Sequence, residues 1–450
     1  MSSEASLTLG DFVTLVRGTT YKGNLVGKPG PALLGLGSIE PGGGFRDTDF
    51  KTYGGECPEK LMLSPGDLFA ALKGATKDGK MIGSVARVPP FVQSGRLTQD
   101  TVKLKFCRQD NETVSYVYWL LRTPQYRDYC AGRATGSAVV ALSREDFLAY
   151  PVPAQTSLRA RVVELLEEIE IRIALLRDTN ATLESIAQAL FKSWFVDFDP
   201  VRTKQQGLAP EGMDEETAAL FPDEFEESEL GLVPKGWRIG AVDSFAERVG
   251  MGPFGSNIKV STFVEHGVPI ISGQHLKKLL VEDNSFNYIT EDHAEKLAKS
   301  CVRAGDVIFT HAGSIGQVSL LHAAARFGEY VLSQRQFFLR CDLSEMRPEW
   351  VTYYFRSPQG QHQLLANMSQ VGVPSIARPV TYLRSIRLLI PPLPIIDRFS
   401  SIADSVHQRL MLSRQHIKTL TTLRDTLLPR LISGQLRLPE AESLLEEAPA

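Results

Sequence analysis

The residues in this chain best suited to chemistry are polar groups that bind, not groups that react. LKGATKDGK carries Lys73, Lys77 and Lys80 in one turn near strand ends, and Gln99 stands in TQDTVKLKF (98–106). Further along, His311, Ser314, Gln334, Arg335 and Arg378 lie among strand-like and loop segments. Lysine and arginine neutralise phosphates; glutamine, serine and arginine can read base edges. For any one of them a solvated surface position is the simpler reading, but as a set in two similar contexts they favour a polyanion.

Catalytic patterns are missing from the sequence. There is no HExxH among the eight histidines and no GxxxxGK[ST] phosphate loop. AGSIGQ (312–317) lacks the lysine and hydroxyl such a loop needs and reads as a strand turn. GLGSIEPGGG (35–44) does not follow the dinucleotide-binding pattern. VPPF (88–91) begins with Val88, where an amino-methyltransferase loop needs Asn or Asp to bond the exocyclic amine. PDEFEE (222–227) has no lysine at nuclease spacing, and no triad or metal-ligand spacing occurs. Five scattered cysteines without a CxxC pair support neither a disulfide framework nor a zinc site and suggest a reducing cytoplasm. MSSEASLTLGDF lacks the pattern of a signal peptide, and no apolar run reaches the ~20 residues that span a bilayer.

The net charge of −3 conceals an uneven distribution. Nine acids and no base lie between Gln205 and Leu230, and four acids and no base between Glu440 and Ala450. Setting these 13 aside leaves 39 acids against 49 bases, or +10. A basic body with an acidic connector and tail suits a nucleic-acid partner.

The elements that would position these groups come in duplicate. SPGDLFAAL (64–72) is echoed by RAGDVIFTH (303–311), TQDTVKLKF by SQRQFFLRC (333–341), and LRTPQ (121–125) by FRSPQ (355–359). YPVP (150–153) is echoed by IPPLP (390–394), and TLES (182–185) by TLRD (422–425). Five echoes in one order, at offsets of 234 to 240, indicate a duplicated half. In each half, strand-like runs (PALLGLG, DLFAAL, TVKLKF; VPIISG, DVIFTH, QFFLR) precede a proline cluster and a long helix.

Both helices show coiled-coil spacing. The first has Val162, Ile169, Leu176, Leu183 and Leu190 seven apart, interleaved with Leu166, Ile173, Asn180, Ala187 and Trp194. Asn180 could fix the register, and the helix would run roughly 60 Å. The second has Ile396, Ala403, Leu410, Ile417 and Leu431 in one row and Phe399, Val406, Leu420 and Leu427 in the other. Each seam is expected to pack on the other helix; a helix lying on a globular core would show a wider stripe. Phe191, Phe195 and Phe198, in LFKSWFVDFDP, lie off the seam and face either a domain or a partner subunit.

Three segments carry a family resemblance: LFKSWFVDFDPV (190–201), LFPDEFEESELGLVPKGW (220–237) and LLPRLISGQL (427–436), the last followed by RLPEAE. With the duplication, they make the chain resemble the specificity subunit of type I restriction-modification enzymes over nearly its full length. The resemblance implies an α+β fold of two duplicated target recognition domains separated by two long antiparallel coiled-coil spacer helices, with pseudo-twofold symmetry. Their expected ranges are recognition domains at 1–150 and 236–390, spacer helices at 151–200 and 391–436, an acidic linker at 201–235 and an acidic tail at 437–450.

The same resemblance implies a non-catalytic, cytoplasmic protein that reads a bipartite, asymmetric site on double-stranded DNA and docks two methyltransferase subunits. Two ATP-driven restriction subunits can join. S-adenosylmethionine, ATP and Mg are expected in those partners and not in this chain. The rival readings are a stand-alone methyltransferase or nuclease, and a coiled-coil scaffold with no nucleic-acid role.

Overall fold

The computed structural model describes residues 7–46, 50–74, 79–108, 110–136, 140–369 and 372–433. It divides into two compact units, Met1–Leu176 with Gln415–Ala450 (unit one) and Arg177–Arg414 (unit two).

In unit one the strands are β1 (Val13–Arg17), β2 (Ala32–Leu34), β3 (Met62–Leu63), β4 (Leu68–Ala71), β5 (Val85–Arg87), β6 (Gly95–Leu97) and β7 (Thr101–Phe106). An antiparallel sheet has the order β1-β7-β4-β5, and a second sheet has the order β2-β6-β3, with β2 and β6 parallel. Helix α1 (Ser157–Lys192) follows.

Unit two contains β8 (Ala246–Met251), β9 (Val268–Ile271), β10 (Cys301–Val302), β11 (Val307–Thr310), β12 (Val318–Leu320), β13 (Tyr330–Leu332) and β14 (Gln336–Cys341). Its antiparallel sheet has the order β8-β14-β11-β12. In its second sheet β13 lies between parallel β9 and antiparallel β10, and Asn287–Ile289 adds an edge strand on β9. Apart from that edge strand, this is the order found in unit one. Helix α2 (Leu393–Ser433) closes the described chain.

The echoed Gly-Asp pairs explain why the sheets repeat. Gly66 and Gly305 both sit at φ +89°, a conformation that costs glycine nothing. The next residue accepts from the backbone three positions earlier, Ser64 N–H to Asp67 (2.7 Å) and Arg303 N–H to Asp306 (2.8 Å). Each carboxylate also holds a cation from the neighbouring strand: Lys103 reaches Asp67 at 2.7 Å, and Arg340 grips the fully buried Asp306 with two bonds of 2.8 and 2.7 Å. The LRTPQ and FRSPQ echoes are helix starts, where the Thr123 and Ser357 hydroxyls accept from Tyr126 and Gly360 N–H.

The long helices complete the cores of both units. In unit one Val162, Val163, Leu165, Leu166, Ile169 and Ile173 are all buried, a stripe wider than a two-row seam. They pack on Tyr116, Val117 and Trp119 of the unit's own body as well as on Leu420 and Leu427 of α2. Leu176 and Ile417 sit at the edge of the same cluster.

In unit two Ile396, Ala403 and Leu410 share a core with Ala187, Phe191, Trp350 and Tyr353, and Leu183 and Leu190 are partly buried against it. Seam residues of the two helices thus share clusters as expected, but the stripe is wider than a seam, because each helix also serves as a wall of a domain. Asn180 is half-buried and its Oδ1 has no hydrogen-bond partner, so nothing here supports a register role for it. The side chain of Leu431 lies outside the described residues.

Polar contacts fasten the helices. Glu167 on α1 takes both terminal nitrogens of Arg87 at 2.7 Å and the Trp119 indole at 2.8 Å. Burial pushes the Glu167 pKa up, but the Arg87 bonds and charge outweigh it and leave it lowered. Glu170 pairs with Arg424 of α2 at 3.2 Å.

The acidic segment is not a tether. Asp199–Gln205 and Glu215–Leu220 are helical, and Phe225–Ser228 pairs with Gly231–Pro234 as a hairpin. Its acids answer cations of unit two, Asp214 to Arg398 at 2.7 Å and Glu229 to Arg387 at 2.5 Å, and Phe221 is buried. Composition marks the charge of such a segment but not the partners that fold it.

Two outcomes follow for stability. Asp306→Ala leaves Arg340 partly buried without its carboxylate and should cost about 3 kcal/mol in unit two, read by denaturant unfolding. His407 is fully buried, stacked on Tyr353 and near His322, Asp404 and Arg414; burial first, then the His322 charge, lowers its pKa to about 4. The unfolded chain binds this proton near the ordinary histidine value of about 6.5. Unit two should therefore lose stability as pH falls from about 6.5 toward 4, and His407→Phe should flatten that window in a pH series of unfolding curves.

Candidate nucleic-acid interface

In unit two the β11–β12 turn meets the turn before β14 through backbone bonds. His311 N–H donates to the Arg335 carbonyl (2.9 Å), and Ile376 N–H donates to the His311 carbonyl (2.8 Å). Gly313 N–H donates to the Pro374 carbonyl at 3.1 Å. This ladder brings His311, Ser314, Gln334 and Arg335 together, two residues along the chain from exposed Arg378.

The side chains divide by role. His311 donates through Nε2 to the Gln334 carbonyl at 3.2 Å, and burial lowers its pKa, so it is a neutral fastener. The Gln334 amide donates to the Gly255 carbonyl at 2.6 Å and holds the loop bearing Phe254, a ring 72% exposed. Ser314, Arg335 and Arg378 are exposed, and among the described residues neither arginine has a carboxylate partner.

In unit one Lys73 lies 3.4 Å from Asp100, next to exposed Gln99 at the turn before β7. A hollow beside them is lined by Arg17, Lys73, Asp100 and Arg144. Lys80 is exposed, and its carbonyl accepts from Arg127 (2.5 Å) and Ser84. Lys77 lies outside the described residues. The sequence reading missed Arg17 and Arg144. The signal for Arg144 was present, since it lies 234 positions before Arg378, an offset found among the echoes. Among the described residues no group of three or more His, Cys, Asp or Glu could hold a metal, and no helix is long and apolar enough to cross a membrane.

The aromatic plug has a definite place. Phe191 and Phe195 are 2% and 7% exposed. Phe191 touches Trp350, Tyr353 and Phe399, with centroids 5.4 to 6.0 Å apart, and Phe195 packs on Trp237, Trp350 and Phe399. Phe198, at φ +58° after a π-helical turn, leans on Phe225 and Trp237. Phe191 and Phe195 are thus core residues of unit two, not docking rings. Phe198 is only half-buried, but what it touches is the unit's own body. Helical spacing could not reveal this, because the burying surface arrives from residues 237, 350 and 399.

No known family profile matches the chain. In sequence it is similar to curated proteins that are specificity subunits of type I restriction enzymes. One, the MjaIX specificity subunit of Methanocaldococcus jannaschii, is 23% identical over 352 residues, covering 74% of this chain and 71% of that protein. Another, the HindI specificity subunit of Haemophilus influenzae, is 25% identical over 319 residues, covering 61% and 66%. In structure the chain is similar to the S subunit of a type I restriction-modification system from M. genitalium. That match has a TM-score of 0.53 at 12% identity and spans 96% of this chain and 97% of the other. The fold, with its mixed helix and strand content, is thus that of a known S subunit.

Replacing Phe191 by alanine should destabilise unit two by about 3 to 5 kcal/mol, the cost of an emptied aromatic site in a packed core. Thermal or denaturant unfolding of the isolated full chain, with no partner present, should show the loss.

Proposed function

We propose that this chain is the non-catalytic, DNA-reading specificity subunit of a type I restriction-modification enzyme. The observation that carries the reading is the repetition of one strand order in two units, each with arginines that have no carboxylate partner among the described residues near the turn that precedes β7 or β14. The similarity to curated specificity subunits supports it independently.

On this reading residues 1–150 and 236–390 are duplicated target recognition domains, and α1 and α2 are antiparallel coiled-coil spacers related by pseudo-twofold symmetry. Each domain reads one half of a bipartite DNA site. Joining two weak readers in one chain makes the second contact intramolecular and raises its effective concentration. The gap between half-sites is then set by the spacers and its sequence goes unread, as dimer geometry sets half-site spacing elsewhere. Because the units differ in sequence, the site is asymmetric.

Two methyltransferase subunits would dock on the chain, and two restriction subunits can join. Those partners would hold S-adenosylmethionine, ATP and Mg, in the cytoplasm. With Phe191 and Phe195 buried, the better docking candidates are apolar residues exposed on the helices: Ile171 (64%), Leu175 (65%), Ile186 (56%) and Leu412 (51%). Ile171 and Leu175, one helical turn apart on α1, are the pair most suited to such a contact, since neighbouring exposed apolar groups and not single ones mark an interaction surface.

Co-expression with the partner methyltransferase, followed by genome-wide mapping of adenine methylation, tests this reading. A two-part asymmetric motif with an unread gap is expected. Methylation at a continuous site, or methylation by the purified chain alone, would refute it.

A further inference from the structure

The two units can be aligned residue by residue through their hydrogen bonds, and the alignment exposes a shared arginine and a switched charge. Leu142 N–H donates to the Leu72 carbonyl (2.9 Å) just as Ile376 N–H donates to the His311 carbonyl (2.8 Å). Leu142 and Ile376 are therefore equivalent, and two residues further on stand Arg144 and Arg378.

At the neighbouring turn, Gly18 N–H donates to the Thr101 carbonyl (3.0 Å) as Gly252 N–H donates to the Gln336 carbonyl (2.9 Å). A side chain at either glycine would collide with backbone, the Thr98 or the Ser333 carbonyl, at 1.8 Å, so the approach is equally close in both units. One residue back from each partner, Arg17 matches Met251 and Asp100 matches Arg335; a residue earlier, Gln99 matches Gln334.

We propose that Arg144 and Arg378 are matching phosphate-binding residues of the two reading faces, and that the position held by Asp100 in one face and Arg335 in the other directs them to different base edges. The inference rests on the DNA-reading role proposed above. Arg144 and Arg378 are exposed and without carboxylate partners among the described residues, as a phosphate-binding arginine must be before DNA arrives. In unit one Arg144 lines a hollow with Arg17, Lys73 and Asp100.

The discriminating position differs in chemistry, not in place. An arginine donates two bonds to guanine O6 and N7, whereas an aspartate accepts from the cytosine amino group. Asp100 would repel the backbone if left bare, and Lys73 at 3.4 Å from Oδ1 offsets its charge, with no ion-pair partner on the second carboxylate oxygen among the described residues. The backbone conformation is not shared at the matched positions: of the four non-glycine residues at positive φ among those described, Asp100 (φ 71°) and Arg378 (φ 47°) lie on these two faces, whereas their counterparts Arg335 and Arg144 do not adopt it. Such conformations persist where surrounding structure enforces them, and they concentrate at binding sites.

The test has two parts. Binding of the full chain to a short random-sequence duplex is measured across a salt series for the wild type, Arg144→Ala, Arg378→Ala and the double variant. Each single change should lower the slope of log affinity against log salt by about one, and the double by about two. In cells supplied with the partner methyltransferase, Arg335→Ala should relax one half of the methylated motif and Asp100→Asn only the other. Unchanged salt slopes in all three variants, with wild-type binding intact, would overturn the phosphate assignment. An unaltered motif in both specificity variants would overturn the switched position. A wild-type chain that binds no duplex and directs no two-part methylation would instead remove the underlying reading.

Discussion

The structure depends on the burial of helix α1 in domain cores. A helix as long as Ser157–Lys192 is not held in place by its own backbone bonds; it needs an apolar face with somewhere to go. At its start that face is the row from Val162 to Ile173, set against Tyr116 and Trp119. At its end it is Ala187, Phe191, Trp194 and Phe195, set against Trp350, Tyr353 and Phe399. The aromatic residues of LFKSWFVDFDP are the insertion of α1 into unit two. Removing that contact takes an entire wall from the core, which is why so many rings crowd a short stretch.

Against this frame the duplicated features fall into two kinds. Those that echo in sequence are structural: the Gly-Asp turns with their partly buried ion pairs, and the Thr-Pro and Ser-Pro helix starts. They recur because a left-handed glycine and a capping hydroxyl are demanded by backbone geometry. The residues suited to touching DNA differ in part from unit to unit even where the strand beside them echoes, Arg17 against Met251 and Asp100 against Arg335. A repeated scaffold with diverged tips is what two readers of different half-sites require. Lys103–Asp67 and Arg340–Asp306 keep the strands in register whatever the tips become.

Much of this was legible in the sequence. Runs such as DLFAAL, TVKLKF, DVIFTH and QFFLR hold strands at Leu68–Ala71, Thr101–Phe106, Val307–Thr310 and Gln336–Cys341, because β-branched and aromatic runs between turn residues have few alternatives. The heptads marked both helices. What stayed hidden was whatever depends on partners distant in sequence. The heptad rows could not show that Val163 and Leu165 would also be buried, widening the seam into a domain wall. The acids after Gln205 looked like a solvated connector because Arg387 and Arg398, which pair with them, lie more than 150 positions away. Of the site, Arg335 and Arg378 were found directly. Arg144 lies in no echoed motif, although its offset of 234 from Arg378 is one of the echo offsets, and the hydrogen-bond alignment brought it out.

The central claim is that the chain holds two equivalent readers that differ only in what they read. The most direct measurement replaces residues 236–390 with a second copy of residues 1–150 and maps adenine methylation in cells carrying the partner methyltransferase. On the proposed pseudo-twofold arrangement, two identical readers should methylate an inverted repeat of one original half-site, with the gap unread. Retention of the original asymmetric motif, or a motif with no internal symmetry, would contradict the account.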